Sequence, residues 1–101
     1  MKRILLLLSV SSLLLAQSPA QLFQQALLKE NGEGDPASAV AIYEKITGDE
    51  TAGRALRAKA QLQIGICWEK MGKSEAILAY KKVVNSYADY TDQVRAAQQA
   101  L

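Results

Sequence analysis

Cys67 lies in the run QIGICWEK (63–70) and is the one thiol of a 101-residue chain. A nucleophilic thiol needs a neighbouring base, and the chain contains no His, which removes the commonest general base and metal ligand. A single Cys also forms no intrachain disulfide. Between Ile66 and Trp68, one helical turn from Ile64 and two residues from Gly65, Cys67 is expected as a small buried core residue. The alternative is an exposed thiol that makes an intermolecular disulfide. Glu30, Glu33 and Asp35 gather at one turn, but no loop of alternating oxygen ligands surrounds them, and Asp35-Pro36 reads as a helix start. GEG (32–34) and GKS (72–74) each resemble part of a phosphate loop. The first is followed by no Gly-Lys-Ser/Thr; the second lacks the upstream glycine and follows a helix. These residues thus form no catalytic constellation, and no metal, cofactor or small-molecule substrate is expected. The aromatics Tyr43, Trp68 and Tyr80 fit packing between helices, whereas Tyr87 and Tyr90, near a helix end, are expected to be freer to contact a partner.

The first twenty residues, MKRILLLLSVSSLLLAQSPA, have the order of an export signal: basic Lys2-Arg3, an apolar run from Ile4 to Ala16, then small residues ending in Ser18-Pro19-Ala20. Cleavage after Ala16 would put the bulky Leu14 at the upstream recognition position, so the expected cut precedes Gln21. The apolar run is shorter than the roughly 20 residues of a bilayer span. The whole chain carries twelve Lys+Arg and ten Asp+Glu; without Lys2 and Arg3 the remainder has ten of each. A neutral chain lacks the clustered basic surface of a nucleic-acid binder. The expectation is an exported protein, periplasmic or secreted, with residues 1–20 as signal and 21–101 as one domain.

Periodicity and breakers outline an all-α chain. A first helix, about 20–30, carries Leu22, Phe23, Ala26 and Leu27 on one face and ends at NGEG (31–34). Asp35 caps a second, with Pro36 at its first position and the stripe Ala39, Ile42, Tyr43, Ile46; Gly48 is its expected C-cap. After the linker GDETAG (48–53), a third helix, 54–70, carries Leu56, Ala60, Ile64, Cys67 and Trp68. Gly72 ends it, and Ser74 is expected to cap a fourth, running to about Tyr87 through Ala76, Ile77, Tyr80, Val83 and Val84. A last helix spans 92–101.

The second and fourth helices repeat each other: DPASAVAIYEKI (35–46) and GKSEAILAYKKV (72–83) superpose Ala39 on Ala76, Tyr43 on Tyr80 and Ile46 on Val83. A small residue, an aromatic four on and an aliphatic three further on share one helix face. The small residue admits the paired helix, and the aromatic fills the gap to the next unit. One hairpin has too little core by itself, so the units must stack.

These residues resemble the tetratricopeptide repeat family. In the second unit Ile64-Gly65 and Trp68 occupy the large-small-aromatic motif, Gly72 the turn glycine, and Ala76, Tyr80 and Val83 the second helix. In the first unit Phe23, Gly34, Asp35, Ala39, Tyr43 and Ile46 fit equivalent places. The first unit departs at Ala26-Leu27 and Glu30; the second has Gln61 for the leading aromatic and a turn one residue short. The resemblance implies a TPR-like α-solenoid of two stacked antiparallel helical hairpins, units about 21–48 and 54–88, with a C-terminal capping helix at 92–101. It further implies a non-catalytic module that binds a peptide or partner helix of another protein in a concave groove. Carried across, the groove positions are Gln24 and Leu28 in the first unit and Lys59, Leu62, Ile66 and Glu69 in the second. Either that strip is open, or the last helix, with Val94, Ala97 and Leu101, covers it. A different class of function is a structural or self-associating leading segment of a larger envelope protein.

Overall fold

The computed structural model describes residues 17–101; residues 1–16, which hold most of the expected export signal, lie outside the described residues. Five helices follow in order: α1 (Pro19–Leu27), which runs on into a π-helical turn (Leu28–Gly32), α2 (Pro36–Thr47), α3 (Arg54–Lys70), α4 (Glu75–Ser86) and α5 (Thr91–Ala100). Each packs against the next, and α5 also touches α3. The described chain is therefore all-α, with two helical hairpins, α1–α2 and α3–α4, stacked through α2 and α3 and followed by a last helix. None of these helices is long and apolar enough to cross a membrane.

Each helix end shows what holds it. At α1, Ser18 Oγ accepts from the Gln21 N–H at 3.2 Å while the Ser18 N–H donates to Gln21 Oε1 at 2.9 Å, a reciprocal capping box with Pro19 at the first helical position. At α2, Asp35 Oδ1 accepts from the Ser38 N–H at 3.1 Å. Its far end is closed by a neighbour: Arg57 donates Nε and Nη2 to the Thr47 carbonyl at 3.2 and 3.1 Å. Ser74 stands at the N-cap of α4, but its side chain caps nothing. An N-cap hydroxyl reaches back only from extended backbone, and Ser74 is in the helical region at φ −65°, ψ −18°.

The two hairpin turns both need glycine. Gly34 (φ 62°) and Gly72 (φ 67°) hold the left-handed conformation, which carries a steric penalty for any residue with a Cβ. Past each glycine an N–H reaches back to close the helix: Lys73 to the Trp68 carbonyl at 2.9 Å, Asp35 to the Lys29 carbonyl at 2.8 Å. The first bond spans five residues and the second six, because the π-helical turn widens the end of the first hairpin's leading helix.

Two buried clusters fill the stack. The first joins Ala26, Ala39, Val40, Tyr43, Ile46, Ala60, Ile64 and Cys67, with Phe23, Leu27, Ile42, Leu56 and Trp68 packed against it. The second joins Ala76, Tyr80, Val83 and Ala97, with Leu62, Ile66, Trp68, Val84 and Val94 around it. Ile77 departs from the sequence reading: it is half exposed. The buried stripe of α4 is Ala76, Ala79, Tyr80 and Val83, and Ile77 lies about 100° around the helix from Ala76.

Close approach of the second hairpin depends on Gly65. A Cβ there would meet the Tyr80 ring at 2.5 Å, so the absent side chain is the space the tyrosine occupies. In the first hairpin Tyr43 instead meets Phe23 edge-on, ring centroids 5.5 Å apart.

Candidate interaction face and its polar anchor

The six groove positions divide by exposure. Gln24 on α1 and Lys59 and Glu69 on α3 are exposed, and Leu28, in the π-helical turn, is 60 % exposed. Leu62 and Ile66 are half-buried and pack against the second cluster, which includes Val94 and Ala97 of α5. Leu101, the third residue set against that strip, is itself exposed. Glu69 is not free: it accepts the Tyr80 hydroxyl at 2.7 Å, which ties the strip's edge to the packing aromatic of α4. Of the repeat-packing residues, Ala39, Tyr43, Ile46, Gly65, Ala76, Tyr80 and Val83 are buried, Phe23 and Trp68 half-buried, and the turn residues Gly34 and Gly72 exposed.

Beside this strip is a polar cluster that the sequence reading missed. Glu30 is 4 % exposed. Its Oε1 accepts from the Tyr43 hydroxyl at 2.8 Å and from Gln63 Nε2 at 3.0 Å, and its Oε2 accepts from Lys70 Nζ at 2.8 Å. Lys70 also donates to Asn31 Oδ1 at 3.2 Å. One carboxylate therefore joins the π-helical turn to α2 and α3. Burial pushes its pKa up, but the hydrogen bonds from Lys70, Tyr43 and Gln63, with the charge of Lys70, outweigh it and hold the carboxyl below its ordinary 4.5. Tyr43 answers in the other direction: burial and the bond to the carboxylate keep its phenol protonated far above the ordinary range. The signal was present in the sequence. Glu30 falls seven residues after Phe23 and four after Ala26, inside the apolar stripe, where a lone charge demands a partner.

Cys67 is fully buried. Burial, with the nearby Glu30 carboxylate, pushes its thiol up to about 12, so the exposed-thiol alternative does not describe it. Among the described residues there is no enclosed pocket and no group of three or more His, Cys, Asp or Glu side chains placed to hold a metal ion.

Tyr87 and Tyr90 are not free either. Tyr87 is 4 % exposed and Tyr90 half-buried. Arg54 lies over both rings, 5.2 and 5.7 Å from their centroids, and donates Nη2 to the Ser86 carbonyl at 3.0 Å and to Asp89 Oδ1 at 2.6 Å. The start of α3 is thereby clasped to the turn between α4 and α5. Chain ends of helices look free in a sequence, and the residue that covers these tyrosines is more than thirty positions away.

Two hairpins with turn glycines, small-on-aromatic contacts and an exposed leading-helix strip define a helical-repeat architecture of the kind that mediates contacts between proteins. Residues 59–90, which span most of α3, all of α4 and the following turn, match the family model of the tetratricopeptide repeat. The second unit is thus similar to a tetratricopeptide-type repeat, and proteins of that family are typically non-catalytic and generally bind other proteins. Neither a curated protein nor a solved structure matches the chain significantly.

Proposed function

We propose that the chain is an exported, non-catalytic interaction module that holds an extended peptide or a partner helix of another cell-envelope protein along the leading-helix face of α1 and α3. The observation that carries this reading is Leu28, 60 % exposed on the same leading-helix strip as Gln24, Lys59 and Glu69, in a chain whose second unit is of tetratricopeptide type. An apolar side chain held out among polar ones gives a partner a hydrophobic anchor with a charged edge. Lys59 and Glu69 supply charge of both signs, so electrostatics would set the register of the partner. Export is read from the order of residues in 1–20 and is the reason for seeking the partner in the envelope.

The test is a pair of substitutions that spare the core, Leu28→Asp and Lys59→Glu. Each is expected to weaken partner recovery at least tenfold with unchanged helix content by circular dichroism. Leu62 and Ile66 are poorer probes, because their packing against the second cluster couples any polar substitution to stability. Recovery unchanged by both variants contradicts the assignment. A second reading, a self-associating segment, is favoured by Leu78 at 71 % and Ile77 at 50 % exposure outside that strip. It requires a concentration-dependent mass in sedimentation, abolished by Leu78→Lys.

A further inference from the structure

We infer that the mature chain begins at Gln17, so that Ser18-Pro19-Ala20 is the folded start of α1 and not the tail of the export signal. The inference rests on the export reading proposed above and sharpens where its signal ends.

Ser18 is extended at φ −72°, ψ 158°, the backbone of an N-cap. Three hydrogen bonds converge on it: its Oγ accepts from the Gln21 N–H, its N–H donates to Gln21 Oε1, and its carbonyl accepts from the Leu22 N–H at 3.0 Å. Pro19 fills the first helical position, where a missing N–H costs nothing. Processing before Gln21 would discard this whole device. It would also leave the new α-ammonium at the end of α1 where the helix dipole is already positive. Leu22 and Phe23 would then fall in an uncapped first turn, although both pack against the first cluster and Phe23 meets Tyr43. Hydrolysis of the Ala16–Gln17 bond, water adding to the Ala16 carbonyl to leave a carboxylate there and an ammonium on Gln17, keeps every one of these contacts. Against it stands only Leu14, bulkier than Ser18 at the peptidase's upstream recognition position. The same three residues, Ser18-Pro19-Ala20, read as small to a peptidase and as a cap to a helix; the hydrogen bonds favour the cap.

The experiment is tryptic peptide mapping of the native protein from envelope extracts, beside a full-length Ser18→Ala variant produced in the same cells. The expected first peptide is 17–29, ending at Lys29. In the variant the start is unchanged, and the urea midpoint falls by roughly 1 M, as loss of an N-cap in a small domain implies. A first peptide 21–29, with a midpoint indifferent to Ser18→Ala because that residue has been discarded, overturns the inference and leaves export standing. A first peptide 4–29, from uncleaved chain, overturns both.

Discussion

Glu30→Ala is the perturbation whose cost follows most directly from the geometry. Removing the carboxylate takes away the acceptor of three donors. Lys70, with a side chain 44 % exposed, turns to water, and its lost ion pair counts for less than about 1 kcal/mol. Gln63 is half-buried and partly resolvated. The Tyr43 hydroxyl has no such exit, because Tyr43 is fully buried, and an orphaned buried hydroxyl costs about 1–3 kcal/mol. The sum is about 1–4 kcal/mol, a large part of the total stability of a domain this size, for which roughly 4–12 kcal/mol is typical. Urea unfolding followed by circular dichroism measures it. The diagnostic is a double-mutant cycle with Tyr43→Phe. Where the stranded hydroxyl dominates, Tyr43→Phe in the Glu30→Ala background restores about 1–2 kcal/mol, although Tyr43→Phe alone in the wild-type background destabilises. Additive losses, or a Glu30→Ala cost below about 0.5 kcal/mol, would refute the reasoning.

Three further outcomes can be checked on the same protein. Glu30 has a folded pKa below its ordinary 4.5, so its stabilisation is complete above that value and is lost as pH falls through the folded one. Asp35, Asp49 and Asp89 are lowered too, so stability should fall with acidification below about pH 4.5 and fall less steeply in Glu30→Gln, as read from urea midpoints against pH. Gly65→Ala ordinarily favours a helix by roughly 1 kcal/mol, but the 2.5 Å approach to the Tyr80 ring reverses the sign to a loss of about 1–3 kcal/mol; a raised melting temperature would show that the ring yields freely. Cys67, its thiol raised to about 12, should resist alkylation at pH 8 in the folded chain and react at the unfolding rate, whereas prompt labelling would contradict its burial.

What was legible in the sequence and what was not divide along chain separation. Turn glycines, the Asp35-Pro36 start and the Ala39/Ala76 and Tyr43/Tyr80 register are local patterns with one physical meaning, and they outline the hairpins. Gly65 is placed by the resemblance, as the small member of its motif, and that the Tyr80 ring takes up the space is visible only in the fold. Arg54 and Arg57 could not be placed, since their partners lie elsewhere along the chain and a charge in a sequence looks solvated until its counterpart is found. Glu30 stands out within the apolar stripe of α1, but its partners on α2 and α3 do not. Ser74 shows the opposite failure. The right residue type sits at the right position, yet Ser74 is in helical backbone, where its hydroxyl cannot cap. The leading-helix strip, Gln24, Leu28, Lys59, Leu62, Ile66 and Glu69, is carried across from the resemblance to tetratricopeptide repeats, while the partial cover over Leu62 and Ile66 depends on where α5 lands.

The proposed interaction through the leading-helix face is tested most directly by site-specific photo-crosslinking in intact cells, with the crosslinking residue placed at Lys59 or Leu28 and, as comparison, at Lys82 on the exposed side of α4. One discrete heavier species from positions 28 and 59, and none from 82, is the predicted result. Adducts from position 82 alone, or equal adducts from all three, would contradict it.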